Sequence, residues 1–312
     1  MPKRPPNGCM VVWCVRWLLT VITSFTCLAH AVVLRDDRQV EVSITQPPQR
    51  IVSLLPSLTE TVCALGQCQK LVGVDRYSNW PERMAKLPRM GGGIDPNIES
   101  VVAAKPDLVL MATSARGAER FAALGLTVLA LEPRSHADVQ RVMRIVAQAL
   151  AVPVQESDRV WRHIDAAVNA AAQSIPAQAK GQRVYFEVSS APYGASESSF
   201  IGETLQRLGA RNILPASLGP FPQINPEFVV RAQPDIIMVG DSNFVDMTTR
   251  PGWQNMRAMR TQRVCHFKPE ESDVLVRAGP RMAEAARLMA KCLTDKAQAN
   301  KAEAVGKTKG SP

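Results

Sequence analysis

Apolar positions along this chain fall into short continuous runs separated by stretches of helical period. Arg50-Ile-Val-Ser-Leu-Leu is such a run, and so is Arg183-Val-Tyr-Phe-Glu-Val. Runs this short, rich in β-branched residues, predict strands buried on both faces. Each is followed by a helix end of similar wording, Glu60-Thr-Val-Cys-Ala-Leu-Gly66 and Glu203-Thr-Leu-Gln-Arg-Leu-Gly209. Glycine just past the last helical turn is the usual C-terminal stop. Ser57-x-x-Glu60 has the spacing of a capping box and predicts the start of the first helix there.

A second pattern recurs more strictly. Asn97-Ile-Glu-Ser-Val-Val-Ala-Ala-Lys-Pro-Asp-Leu-Val-Leu-Met111 aligns without gaps on Asn225-Pro-Glu-Phe-Val-Val-Arg-Ala-Gln-Pro-Asp-Ile-Ile-Met-Val239, at an offset of 128 residues and with seven of fifteen positions identical. Each copy predicts a short helix and then a buried strand. The Asn is the N-cap, and the Glu lies in the first turn, where the helix dipole favours it. Pro226 takes the first helical position, and Pro-Asp closes the helix and opens the strand. Strand, helix, strand or loop, helix, strand in each half predicts parallel α/β sheets.

Between the halves, 137–150 is periodic in Val, Met and Ala, Pro153 interrupts it, and a long helix runs over 156–174 to Pro176. The first thirty residues follow other rules. Lys3 and Arg4 precede an apolar stretch over 10–28, broken by Arg16 and ending in Ala29-His30-Ala31. That is the pattern of a secretory signal peptide cleaved after Ala31. An uncleaved membrane anchor, or a lipoprotein anchored at Cys27, is the alternative. The expected organisation is therefore a signal over 1–31, an N-terminal lobe over 32–150, a connecting helix over 151–180, a C-terminal lobe over 181–294 and a disordered, Ala- and Lys-rich tail over 295–312.

Composition narrows the chemistry. The formal charge of +9 comes from lysines and arginines spread along the chain; subtracting Lys3, Arg4 and Arg16 with the signal leaves +6. No basic run interleaved with aromatics suggests a nucleic-acid surface. The four histidines are scattered and no C-x-x-C occurs, so no histidine- or cysteine-rich metal site is expected. Cys63, Cys68, Cys265 and Cys292 follow the signal; an even number in an exported protein suggests disulfides. Proximity favours Cys63–Cys68 and Cys265–Cys292, against free buried thiols. Ser57 and Ser196 have no histidine at catalytic spacing, so the chain is not expected to be an enzyme. The Gly91–Gly93 run lacks the context of a phosphate loop and reads as a turn.

Arg50-Ile-Val-Ser-Leu-Leu-Pro-Ser-Leu-Thr-Glu, then Leu71-Val-Gly-Val-Asp-Arg-Tyr-Ser-Asn-Trp-Pro81, then the Lys-Pro-Asp-Leu-Val strand, in that order, resemble the bacterial periplasmic binding proteins that serve importers of vitamin B12, iron-siderophores and haem. The resemblance covers roughly residues 35 to 293. It implies two Rossmann-like lobes with parallel sheets, joined by a single long helix, with the ligand in the cleft between them. It is nearest to the cobalamin-binding members. By that resemblance Tyr77 and Phe221 line a corrinoid cleft from opposite lobes, and Asp273 and Arg277 are site positions. Trp80, Tyr193 and Ser196 are further candidate contacts. Gly93 stands where those members carry a tryptophan, which leaves another corrinoid, haem or a ferric chelate open. Glu99 and Glu227, the repeat glutamates, would dock onto arginines of the two membrane subunits of the permease.

The expected function is thus capture of cobalamin, or of an iron-siderophore or haem, by a periplasmic monomer that passes it to an ABC importer. No resident cofactor is implied. Readings of another class are a secreted α/β hydrolase and a periplasmic sensor.

Overall fold

The computed structural model describes residues 1, 31–189, 192–239 and 249–308. The signal segment lies outside them apart from its ends. A two-stranded antiparallel hairpin comes first, β1 (Val32–Arg35) and β2 (Glu41–Ile44). The first lobe follows: β3 (Ile51–Ser53), α1 (Pro56–Ala64), β4 (Leu71–Val74), α2 (Ile98–Ala103), β5 (Leu108–Met111), α3 (Ala118–Ala123) and β6 (Val128–Ala130). Its four strands are all parallel, in the order β4-β3-β5-β6. Two helices, α4 (His136–Ala149) and α5 (Val154–Gln173), lead to the second lobe. That lobe holds β7 (Arg183–Ser189), β8 (Tyr193–Gly194), α6 (Phe200–Arg207), β9 (Arg211–Asn212), α7 (Pro226–Ala232), β10 (Ile236–Val239), α8 (Arg257–Arg260), β11 (Val264–His266), α9 (Pro269–Leu275) and α10 (Met282–Thr308). Its parallel strands run β9-β7-β10-β11, the same order as in the first lobe, with β8 added antiparallel to the end of β7.

The period-2 alternation of each strand places its side chains on two cores. In the first sheet Ile51, Leu108, Leu110 and Leu129 enter one core, and Val52, Val109 and Met111 the other. In the second, Val184, Phe186, Ile236 and Met238 face one side, and Tyr185, Ile237 and Val239 the opposite one. Helices on both faces explain why these strands read as continuous apolar runs. The expected long helix is α5. Beside it α4 ties the lobes together, because Val142, Val146 and Leu150 join the first lobe's core while Val139 and Met143 join the second's.

The duplication reaches the backbone. The offset of 128 carries β5 onto β10 and the start of α2 onto that of α7. Both asparagines cap their helices, Asn97 accepting from the Ser100 N–H and Asn225 from the Glu227 N–H. Lys105 and Gln233 share the left-handed turn that follows, at φ 47° and 46°. Each repeat Asp then anchors the neighbouring strand. Asp107 accepts from the Gln49 and Arg50 N–H groups, and Asp235 from the Arg183 N–H.

Two expectations are corrected. Helix α1 begins at Pro56, with Leu55 as an N-cap lacking a side-chain bond, so Ser57 and Glu60 form no capping box. Proline's fixed φ suits the first helical position and starts the helix two residues earlier than a Ser57 cap would, and Glu60 is taken by arginines from the far end of the chain. The C-terminal segment from 295, expected to be disordered, continues α10 to Thr308, since Ala, Lys, Gln and Glu are strong helix formers. Both proximity disulfides are present: Cys63–Cys68 closes the end of α1, and Cys265–Cys292 ties β11 to α10.

Candidate functional site

Residues just beyond the C-terminal ends of parallel strands face the crevice in sheets of this kind. Leu55 and Pro56 follow β3, Tyr77 follows β4, and Glu132 and Pro133 follow β6; all line one cleft. The second lobe closes it with Phe200 at the start of α6, Phe221 from the loop before α7, and Asp273, Val276 and Arg277 from α9 and the turn after it. The cleft encloses about 350 Å³, near the small end for ligand pockets. Its walls are mainly apolar. Phe221 packs edge-on against Phe200 at 5.8 Å between centroids. Tyr77 opposes them from the first lobe with 59% of its surface exposed, which leaves the ring free to stack.

Tyr77 is held by a buried hydroxyl chain. Asp75, at the end of β4, accepts from the Tyr77 N–H at 2.9 Å and from Ser78 Oγ. Ser78 Oγ also bonds Thr59 Oγ1, which in turn bonds Ser53 Oγ at 2.8 Å. Burial pushes the Asp75 carboxyl above the ordinary carboxylate range, although its bonds from Ser78 and Tyr77 pull the other way.

Arg277 stands at the cleft edge but is committed to the protein. It is 6% exposed and donates to Glu60 Oε1, Asn79 Oδ1 and the Tyr77 carbonyl, each at 2.9 Å, and pairs with Asp273 at 3.0 Å. Arg281 forks onto the same Glu60 at 2.8 and 3.1 Å. Glu60 belongs to the first lobe and both arginines to the second, so this buried cluster is an interlobe bond. Asp273 contributes by accepting from Asn79 Nδ2 at 2.7 Å.

Of the residues expected at the site, Tyr77, Phe221, Asp273 and Arg277 come together. The others do not join the described cleft wall. Trp80 is half-exposed over Arg281, whose guanidinium lies 5.2 Å from the ring centroid, so it covers the ion cluster. Gly93 abuts the first sheet, where a Cβ would lie 3.2 Å from the Leu54 carbonyl oxygen. Tyr193 sits on the edge strand β8, paired with Gln223. Ser196 is wholly buried, with Oγ bonded to Ser198 and its N–H to the Pro220 carbonyl. Helix α6 rests directly on it, and a side chain at Gly202 would meet the Ser196 oxygen at 1.9 Å. The lining residues missed include Glu132, Phe200 and Val276, besides the strand-end residues Leu55, Pro56 and Pro133. For Glu132 the signal was available: a charged residue two positions past the buried strand Val128–Ala130.

Glu99 and Glu227 each stand exposed in the first turn of a repeat helix, at matching places in the two lobes. Glu99 borders a polar hollow with Arg76 and Arg120, and Glu227 pairs loosely with Arg231 at 3.7 Å. Gly91, at φ 92°, makes the turn that leads into the first of these helices; a Cβ there would strike the Asn97 N–H. Among the described residues no cluster of three metal-ligating side chains occurs, and no helix is long and apolar enough to cross a membrane.

The sequence model of the periplasmic binding protein family matches residues 51–271. An uncharacterized ABC transporter substrate-binding lipoprotein of Bacillus subtilis is 28% identical over 84% of this chain and 85% of its own. The vitamin B12-binding protein of Pectobacterium carotovorum is 27% identical over 79% of this chain and 89% of its own. Among solved structures, the periplasmic heme-binding protein of Roseiflexus superposes with a TM-score of 0.67 at 27% identity, covering 80% of this chain and 99% of that one. The periplasmic vitamin B12-binding protein of Vibrio cholerae gives 0.66 at 23% identity, covering 80% and 98%, and shares the fold.

Proposed function

The chain belongs to the periplasmic binding protein family, and from that premise we propose that it captures cobalamin or a related corrinoid in the interlobe cleft and delivers it to the permease of an ABC importer. One observation carries the reading. The cleft sets Tyr77 of one lobe against Phe200 and Phe221 of the other, an aromatic mouth suited to a flat macrocycle. A corrinoid is larger than the enclosed volume, so it is gripped along one edge and its remainder fills the mouth. The similarity to vitamin B12-binding proteins supports this ligand. Gly93 supplies no ring, so the aromatic grip rests on the Tyr77 and Phe221 sides.

Export follows the signal over 1–31, with cleavage after Ala31; a mass for the purified chain that begins at residue 32 checks it. Glu99 and Glu227 serve as the docking pair, one carboxylate per lobe offered to arginine forks of the permease. No chemical step is required of the protein.

Calorimetric titration with cyanocobalamin, haemin and a ferric siderophore tests the ligand. Saturable cobalamin binding, weakened about tenfold or more by Phe221→Ala or Tyr77→Ala, is expected. The similarity to a heme-binding protein supports the second reading, and saturable binding of haemin or the siderophore alone would move the specificity there.

A further inference from the structure

The cations beside the cleft are spent within the protein, and the acids are not. Arg277 makes four contacts through its two terminal nitrogens, which uses all four of their hydrogens. Arg281 is bidentate on Glu60. Deeper in the second lobe, Arg250 forks onto the buried Glu187 at 2.8 and 2.9 Å. Arg134 is the exception: more than half exposed, it reaches Glu132 at 3.5 Å.

The two acids of the cleft wall keep accepting capacity. Asp273 uses Oδ2 for Asn79 and Arg277, and its Oδ1 has no partner among the described residues. Glu132 concentrates its bonds on Oε2, which takes Thr113, the Ser114 N–H and Arg134, while Oε1 takes only the Ser114 hydroxyl. Those bonds fix the carboxylate at the end of β6 with one oxygen in reserve. A carboxylate accepts hydrogen bonds and cannot give them.

We propose that Glu132 and Asp273 are the polar recognition groups of the cleft, selecting a neutral or cationic ligand that presents N–H or O–H donors and rejecting one that presents carboxylates. The proposal rests on the cleft being the ligand site, as read above. An amide-rimmed ligand makes charge-assisted bonds to both acids. A carboxylate-rimmed one meets like charge in a partly dry cleft and finds no uncommitted arginine in its wall.

Two matched pairs test it by calorimetry at neutral pH on the exported protein: cyanocobalamin against its monocarboxylic derivatives, in which one side-chain amide is hydrolysed, and haemin against its bis-carboxamide. The amide member is expected to bind about tenfold or more tighter than its carboxylate partner in whichever pair binds. Glu132→Gln with Asp273→Asn is expected to bring that gap to about threefold or less, and Arg134→Ala to leave it unchanged. A carboxylate member that binds as tightly as its amide partner overturns the charge rule and leaves the proposed function standing. A gap that widens in Arg134→Ala also overturns the rule, since Arg134 would then be receiving the anion. Binding of neither pair removes the proposed function and the charge rule together.

Discussion

Glu60 shows how a single side chain joins the lobes. It is 3% exposed and receives two arginines from 217 and 221 residues away. Removing one partner of a buried pair leaves the other charged and unpaired, which typically costs about 3–5 kcal/mol. Glu60→Gln should therefore lower the unfolding free energy by about that amount in denaturant titrations; a loss below about 1 kcal/mol would show that the arginines re-pair elsewhere. No local reading reaches such a partner, and the residue looked instead like a helix cap for Ser57. His136 is a second interlobe group. Its Nε2 bonds Thr204 Oγ1 and the Phe200 carbonyl, and Arg207 sits 3.2 Å from Nδ1. Burial, aided by the Arg207 cation, lowers its pKa from 6.5 to about 4. The unfolded chain takes up the proton first as pH falls, so this contribution is full above about 6.5 and is lost as pH falls through about 4. The melting temperature should drop between those values, and the drop should shrink in His136→Gln. An unchanged drop would place the acid sensitivity elsewhere.

The elements most legible in the sequence were the duplicated ones, because their periods, caps and strand lengths are local. The offset of 128 found in the sequence predicts β5 and β10 residue for residue. What stayed hidden was set by packing between elements. Pro56 starting α1, the antiparallel β8, and α4 facing two cores depend on partners remote in sequence. Two predictions belong at this scale. Glu99→Arg with Glu227→Arg should leave ligand affinity within about twofold while abolishing ligand-stimulated ATP hydrolysis by the reconstituted importer; retained stimulation would remove the docking role. Cys265→Ser with Cys292→Ser opens a loop of sequence separation 27 and releases β11 from α10. A loss of about 3 kcal/mol in unfolding free energy is expected, and no loss would mean the helix is held by its apolar face alone.

At the scale of the whole molecule, the fold puts strand ends of two similar lobes around one cleft and then fastens the lobes with α4 and the Glu60 cluster. Half of the expected ligand contacts reached that cleft. Tyr77 did so just past the end of β4, Phe221 from the loop before α7, and Asp273 and Arg277 from α9 and the turn after it. Trp80 did not, because it covers the interlobe ion cluster, and Gly93, Tyr193 and Ser196 did not, because each is used within its own lobe to turn, pair or support. The central claim is that one ligand bridges both lobes within this cleft. Hydrogen-exchange mass spectrometry with and without cyanocobalamin tests it most directly. The account predicts slowed exchange in the segments holding Tyr77, Glu132, Phe221 and Asp273 at once, with α10 unchanged beyond residue 290. Slowing confined to one lobe, or none in any of these four segments at saturating ligand, would contradict it.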